Sequence, residues 1–190
     1  MTGKTHQTGG WLATAIYLLF VLDPAYQPAT LAMAIALSSI GSMLPDCDQP
    51  TAEAWNHLPL GHTFGHIANH VTLGHRNITH SLLGFTALSG LVYIVVNSFP
   101  VYWNINTHIV IIAFMLSYAL HLLFDSFTVE GIPLLFPYQR MFGIPPKPFE
   151  GIRILSGKWF ENLVIFPAIN LTLIIVLIVS WTSIKTLLFK

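Results

Sequence analysis

INTHIVIIAFMLSYALHLLFDSF, residues 105–127, decides how the rest of this chain is read. The stretch is long and apolar enough for a spanning helix, which needs about 20 such residues. Its far end nevertheless carries His121 and Asp125. These two are four apart, so a helix stacks both side chains on one face, and Ser117 and Thr128 extend that polar edge. Ionisable groups at the end of a membrane segment are costly unless they are paired, ligating or functional. A His-x-x-x-Asp pair offers one imidazole nitrogen and one carboxylate, a two-ligand platform for zinc or a similar divalent ion. The competing reading of the pair alone is an interhelical hydrogen bond, which membrane bundles also use.

Composition supports a membrane setting. Of 190 residues, 54% are hydrophobic and only 8% charged, and the mean hydropathy is +0.66. A soluble domain carries about 25% charged residues. Four further apolar segments lie at 6–22, 30–44, 80–99 and 163–181. Backbone in lipid must satisfy its own hydrogen bonds, so segments of this kind are helices. The expected fold is all-α: one domain over residues 1–190, a polytopic bundle of about four to five transmembrane helices. His62, His66 and His70 recur every four residues and predict a short interfacial helix with a polar face, the competing reading being a metal site of their own. Lys4 followed by the apolar run 11–22 imitates a cleaved signal. No small-x-small cleavage site follows it, and the segment is read as a retained first helix.

The net charge of zero gives no basic field for nucleic acid, and no such partner is expected. The one cysteine, Cys47, excludes an internal disulfide and a cysteine-based zinc knuckle. It is read as a small apolar filler.

Connections of two kinds join the segments. Residues 23–29 and 98–104 are short and contain Pro24, Pro28, Pro100 and Asn104, which predicts two helical hairpins. Residues 46–79 and 128–162 are long. The second contains Pro133, Pro137, Pro145, Pro146 and Pro148 and is expected to be irregular. Hairpins return to their side of origin, so His6, Asp46, Asp48, His75, His80, His121 and Asp125 fall on the same membrane face. Lys4, Arg76, Arg140, Lys147, Arg153 and Lys158 lie on that side too, and only Lys185 and Lys190 lie across. The positive-inside rule then puts this face and the N-terminus in the cytoplasm.

Asp46 and Asp48 flank Cys47 just after the helix-stopping Pro45. Two carboxylates this close repel unless a cation or proton lies between them; a solvated, capping turn is the bland alternative. His75 and His80 bracket Arg76 and Thr79 at a spacing that suits a loop entering a helix. Arg76 beside a metal suits an anionic group such as phosphate, and otherwise a snorkelling position. His57 and His108 have no evident partner and are read as structural.

The order His6, then Leu44-Pro45-Asp46-x-Asp48, then Gly74-His75-Arg76-x-x-Thr79-His80-Ser81, then His121-x-x-x-Asp125-x-x-Thr128-x-x-Gly131 resembles the YdjM family. These are bacterial inner-membrane proteins described as membrane-bound metal-dependent hydrolases. The motifs run from about residue 6 to Pro137. The last apolar segment and residues 53–70 lie outside them, and Cys47 stands where the family tends to carry an apolar residue. The His-x-x-x-Asp helix is also distantly similar to zinc-dependent phospholipase C, an analogy of lesser weight.

The resemblance implies a metal centre whose candidate ligands are His6, Asp46, Asp48, His75, His80, His121 and Asp125. Seven are too many for one zinc, so two ions bridged by a carboxylate are expected. Such a site lowers the pKa of a water toward about 7 and makes it a nucleophile. Asp46 or Asp48 would orient or deprotonate that water, and Arg76 would grip the phosphate of a lipid or lipid-linked substrate. Two other classes compete. A cation transporter would need ionisable groups at mid-helix, and the segments carry none there. A non-catalytic scaffold would use the metal to fix the fold and the Pro-rich loop to recruit a protein partner whose identity the residues leave unknown.

Overall fold

The structure is a computed structural model, and it describes residues 1–21, 27–50, 52, 55, 61–72, 76–98 and 105–188. Among these residues seven α-helices form. α1 is Gly3–Ile16, continued by a π turn at Tyr17–Val21; α2 is Pro28–Met43, continued by a 3-10 turn at Leu44–Asp48. α3 is Gly61–Val71, α4 is Leu82–Ser98 and α5 is Thr107–Ser126. A π turn at Glu161–Ile165 leads into α6, Phe166–Val179, and α7 is Trp181–Leu188.

Local chemistry sets the boundaries. Pro28 starts α2, where its missing N–H costs nothing, and Pro45 ends the α-helical ladder and tightens the chain into the 3-10 turn. Asn106 caps α5, its Oδ1 accepting from Ile109 N–H at 3.3 Å. α4 begins two residues after His80, because Arg76 adopts a φ of +58° and residues 76–81 bend ahead of the helix. Residues 127–158 are irregular, as their prolines predict, with a 3-10 turn at Phe149–Ile152 and bridges pairing Thr128 with Ile154 and Ile132 with Phe142.

α5 is the central post. Val110, Ala113, Phe114, Tyr118 and Leu122 on it are buried, packed with Leu18 and Ala34 toward one end and Ile132 toward the other. α1 and α2 pack on α5 and on each other, α4 packs on α5, and α6 packs on α1. Small residues permit these approaches, as in membrane bundles generally. A Cβ at Gly41 would stand 2.5 Å from the Phe114 carbonyl oxygen, and one at Gly10 would stand 3.0 Å from Ser42 Cβ and 3.1 Å from Ser117 Cβ. Below that crossing the hydroxyls of Thr14, Ser38 and Ser117 bond to one another at 2.7–3.4 Å, tying three helices together.

Pro28–Asp48, Thr107–Ser126 and Glu161–Val179 are long and apolar enough to cross a membrane, and Leu82–Ser98 is apolar but shorter. The first expected segment is helical but is more polar, with Thr5, His6, Thr8 and Thr14 buried inward. α3 forms where the histidine repeat predicts a helix, with His66 and His70 exposed. The His62 side chain and His57 lie outside the described residues; His108 is exposed at the start of α5.

Candidate metal centre

The start of α1 and the ends of α2 and α5 meet at one end of the bundle, beside residues 76–81. The last turns of α5 present His121 and Asp125 on one face. The 3-10 turn after α2 brings up Asp46, and the bend before α4 brings up His80. One donor atom from each of these four residues lies within 4.8 Å of every other. His80 Nε2 is 3.2 Å from His121 Nε2, 3.5 Å from Asp46 Oδ1 and 3.5 Å from Asp125 Oδ2. His121 Nε2 is 3.6 Å from Asp46 Oδ1 and 4.0 Å from Asp125 Oδ2. Donors about 2.0–2.1 Å from a tetrahedral zinc stand about 3.3–3.4 Å apart, so these separations fit one ion at the centre.

The far side of each imidazole settles which nitrogen is free to ligate. His121 Nδ1–H donates to the Ser42 carbonyl at 2.7 Å, leaving the Nε2 lone pair facing the cluster. Thr79 Oγ1 donates to Asp48 Oδ2 and lies 3.0 Å from His80 Nδ1, from which it accepts. Carboxylate, hydroxyl and imidazole thus form a relay that turns His80 Nε2 inward, the outer support that ligating histidines ordinarily receive. Tyr118 Oη donates to the Thr79 carbonyl at 2.6 Å and fixes the same bend from α5.

His80, His121 and Asp125 are buried, whereas the Asp46 side chain is 25% exposed. The cluster therefore meets its surroundings at Asp46. Buried carboxylates are expensive without a positive partner. Arg76 Nη2 lies 3.1 Å from Asp125 Oδ2, and the Met1 amino group contacts Asp125 Oδ1. Asp125 Oδ2 still accepts no aligned hydrogen bond, and neither ring nitrogen of buried His6 has one. The orphaned Asp125 Oδ2, 3.5 Å from His80 Nε2 and 4.0 Å from His121 Nε2, fits a divalent cation held among these donors.

The sequence candidates separate into layers. Asp46, His80, His121 and Asp125 share one sphere. His6 stands beside it, its Nε2 3.1 Å from Asp125 Oδ1 and its ring stacked on His121 at 3.7 Å. Asp48 is turned away from Asp46 into the protein, where it accepts from Thr79 and from the Arg76 backbone N–H at 3.2 Å. Its place is behind His80 rather than at the opening. His75 lies outside the described residues. Cys47 Sγ–H donates to the Met43 carbonyl at 3.6 Å, as a filler does.

Two acids that sequence reasoning passed over belong to the same neighbourhood. Glu161 is buried and accepts from Thr2 N–H at 2.7 Å, Thr2 Oγ1 and Thr5 Oγ1 at 2.6 Å, and Gly157 N–H at 2.7 Å. It pins the start of α1, and hence His6, to the head of α6. Glu130 pairs with Arg76 Nη1. Glu161 opens a long apolar run, so the costliness of an acid at a segment end could have marked it.

The sequence model of the YdjM inner membrane protein family matches residues 1–189. The chain is 28% identical over 166 residues to Bacillus subtilis (strain 168) YvsG, a protein named as uncharacterized, spanning 87% of this chain and 88% of YvsG. It is 33% identical over 108 residues to the inner membrane protein YdjM of Escherichia coli (strain K12), spanning 54% of this chain and 48% of YdjM. The Shigella flexneri YdjM matches to the same extent. No solved structure matches the chain. With its apolar helices and a family match over nearly its whole length, the chain belongs to the YdjM family of bacterial inner membrane proteins.

Proposed function

We propose that this protein is a membrane-bound metal-dependent hydrolase acting on a phosphoester of a lipid or lipid-linked substrate at the cytoplasmic face of the membrane. One observation carries the reading: two inward-facing Nε2 atoms 3.2 Å apart, set between the carboxylates of Asp46 and Asp125. A divalent ion held there, zinc first by its donor set, supplies Lewis acidity toward a phosphoryl oxygen and eases deprotonation of a water. The chain does the rest. His80 and His121 hold the ion through Nε2, oriented by the Thr79–Asp48 relay and the Ser42 carbonyl. Asp46, the one partly exposed carboxylate of the four, accepts the proton of the attacking water. Arg76 pairs with a phosphoryl oxygen. A second ion would be held by His6 Nε2 and Asp125 Oδ1, the oxygen that the Met1 amino group contacts in this structure. Lys4, Arg76, Arg140, Lys147, Arg153 and Lys158 on the site side favour the cytoplasmic leaflet.

A metal-stabilised scaffold is the second reading, favoured by the fact that four side-chain donors complete a tetrahedron. The test is phosphoester hydrolysis by zinc-loaded protein in bilayer nanodiscs, using a phospholipid and a water-soluble aryl phosphodiester. The hydrolase reading expects turnover that falls at least about 100-fold in His80→Ala. Folded, metal-loaded protein without turnover on either substrate selects the scaffold.

A further inference from the structure

We infer that Arg76 and Glu130 form an exchangeable anion subsite beside the metal cluster, in which the Glu130 carboxylate occupies the place of a phosphoryl group until one arrives. The inference rests on the phosphoesterase reading and names the device that admits its substrate.

The Arg76 guanidinium has two ends in different surroundings. Nη2 is 3.1 Å from Asp125 Oδ2, a buried member of the four-donor cluster. Nη1 pairs with Glu130, whose side chain is 65% exposed, and lies 3.5 Å from the Gly131 carbonyl. Between them Nε is buried without a hydrogen-bond partner. The side chain as a whole is 13% exposed, so Arg76 links the cluster to the outside of the protein. One end of the guanidinium thus holds the cluster and the other meets Glu130, a contact that leaves Nε unsatisfied.

Both partners are positioned by their backbones. Arg76 holds a left-handed φ of +58°, uncommon for a non-glycine residue, and its N–H is anchored on Asp48. Glu130 sits in the turn that ends α5, where Thr128 Oγ1 donates to the Asp125 carbonyl at 2.7 Å and Gly131 takes a φ of +67°. A Cβ at Gly131 would run into the Phe142 carbonyl, so the turn is locked. An acid inside the cluster, Asp125, and an acid at its rim, Glu130, thus lie five positions apart, and one guanidinium spans both.

The two contacts differ in how easily they break. Exposed ion pairs are weak and screened, whereas a phosphoryl group offers a guanidinium two parallel hydrogen bonds. An incoming phosphoryl group therefore displaces Glu130 and leaves the Asp125 contact in place. Glu130 meanwhile keeps Arg76 extended and discourages weaker anions from settling next to the metal.

The test is isothermal titration of inorganic phosphate into detergent-solubilised protein after chelation, with wild type, Glu130→Gln, Arg76→Lys and the double variant. Glu130→Gln is expected to bind phosphate about three- to tenfold more tightly, and Arg76→Lys, which keeps the charge but loses the fork, more weakly. In the double variant the gain from Glu130→Gln should disappear, a coupling that general charge removal does not produce. An unchanged affinity in Glu130→Gln, or an equal gain in the Arg76→Lys background, overturns the subsite. Hydrolysis is measured separately: absence of turnover with the coupling intact removes the hydrolase reading and supports the subsite on its own.

Discussion

The Nε2 atoms of His80 and His121 face each other at 3.2 Å while both Nδ1 atoms are engaged, one with the Thr79 hydroxyl and one with the Ser42 carbonyl. Two imidazole lone pairs at that distance repel unless something positive stands between them, and the Asp46 and Asp125 carboxylates complete the demand. Replacing either histidine with Ala should lower bound divalent metal from about one ion per chain to under a tenth, read by elemental analysis of purified protein. Circular dichroism should remain helical, because α5 and α4 owe their backbones to lipid-facing sequence rather than to the ion.

The support behind His80 should matter without touching the metal. Asp48→Asn and Thr79→Val leave all four donors in place but break the relay that turns Nε2 inward. Removal of such outer partners typically costs about 10–100-fold in metal affinity. Competition against a zinc-binding dye should show that loss in both variants; wild-type affinity would mean that packing alone orients the ring.

Acid should strip the site reversibly. A ligating imidazole must be unprotonated at Nε2, so protons and the metal compete for His80 and His121. Bound metal should therefore decline as the pH falls from about 7.5 toward about 5, and return on neutralisation. Equilibrium dialysis across that range reads the effect directly, and retention that is flat down to about pH 5 contradicts imidazole ligation.

Packing remote from the donors should also be felt at the site. A methyl group at Gly41 would stand 2.5 Å from the Phe114 carbonyl oxygen, and backbone cannot step aside as a side chain can. Gly41→Ala should force α2 from α5 and destabilise the fold by about 1–3 kcal/mol. It should also weaken metal binding, since Asp46 rides on α2 and His121 on α5. Thermal melting with and without zinc separates the two effects.

Glu161→Gln should loosen α1. The amide keeps one acceptor but turns an N–H₂ toward donors from Thr2, Thr5 and Gly157, and hydrogen bonds to a charged group contribute about 1.5–3 kcal/mol. Hydrogen exchange should rise over residues 2–10, while α5 stays protected.

Much of this organisation was legible in the chain. Spacing alone placed His121 and Asp125 on one face, because a helix end fixes the direction of residues four apart. The segment lengths led to an all-helical bundle, and the hairpin reasoning led to a shared end for α1, α2 and α5. What pattern could not supply was the division of labour between neighbours. Asp46 and Asp48 look equivalent in sequence, yet with about three residues per turn a 3-10 helix throws residues two apart to different sides. One carboxylate therefore faces the cluster and the other backs His80. The left-handed Arg76 likewise has no sequence signature, and it delays α4 to Leu82. Glu161 was hidden because its partners, Thr2 and Thr5, lie more than 150 residues away in sequence.

X-ray absorption at the zinc edge of protein reconstituted in bilayers tests the four-donor centre most directly. Two imidazoles and two carboxylate oxygens at about 2.0–2.2 Å are expected, with the imidazole multiple-scattering signal halved in His121→Ala under zinc excess. A spectrum of water oxygens alone, or one that is the same in His121→Ala, would contradict a metal held among Asp46, His80, His121 and Asp125.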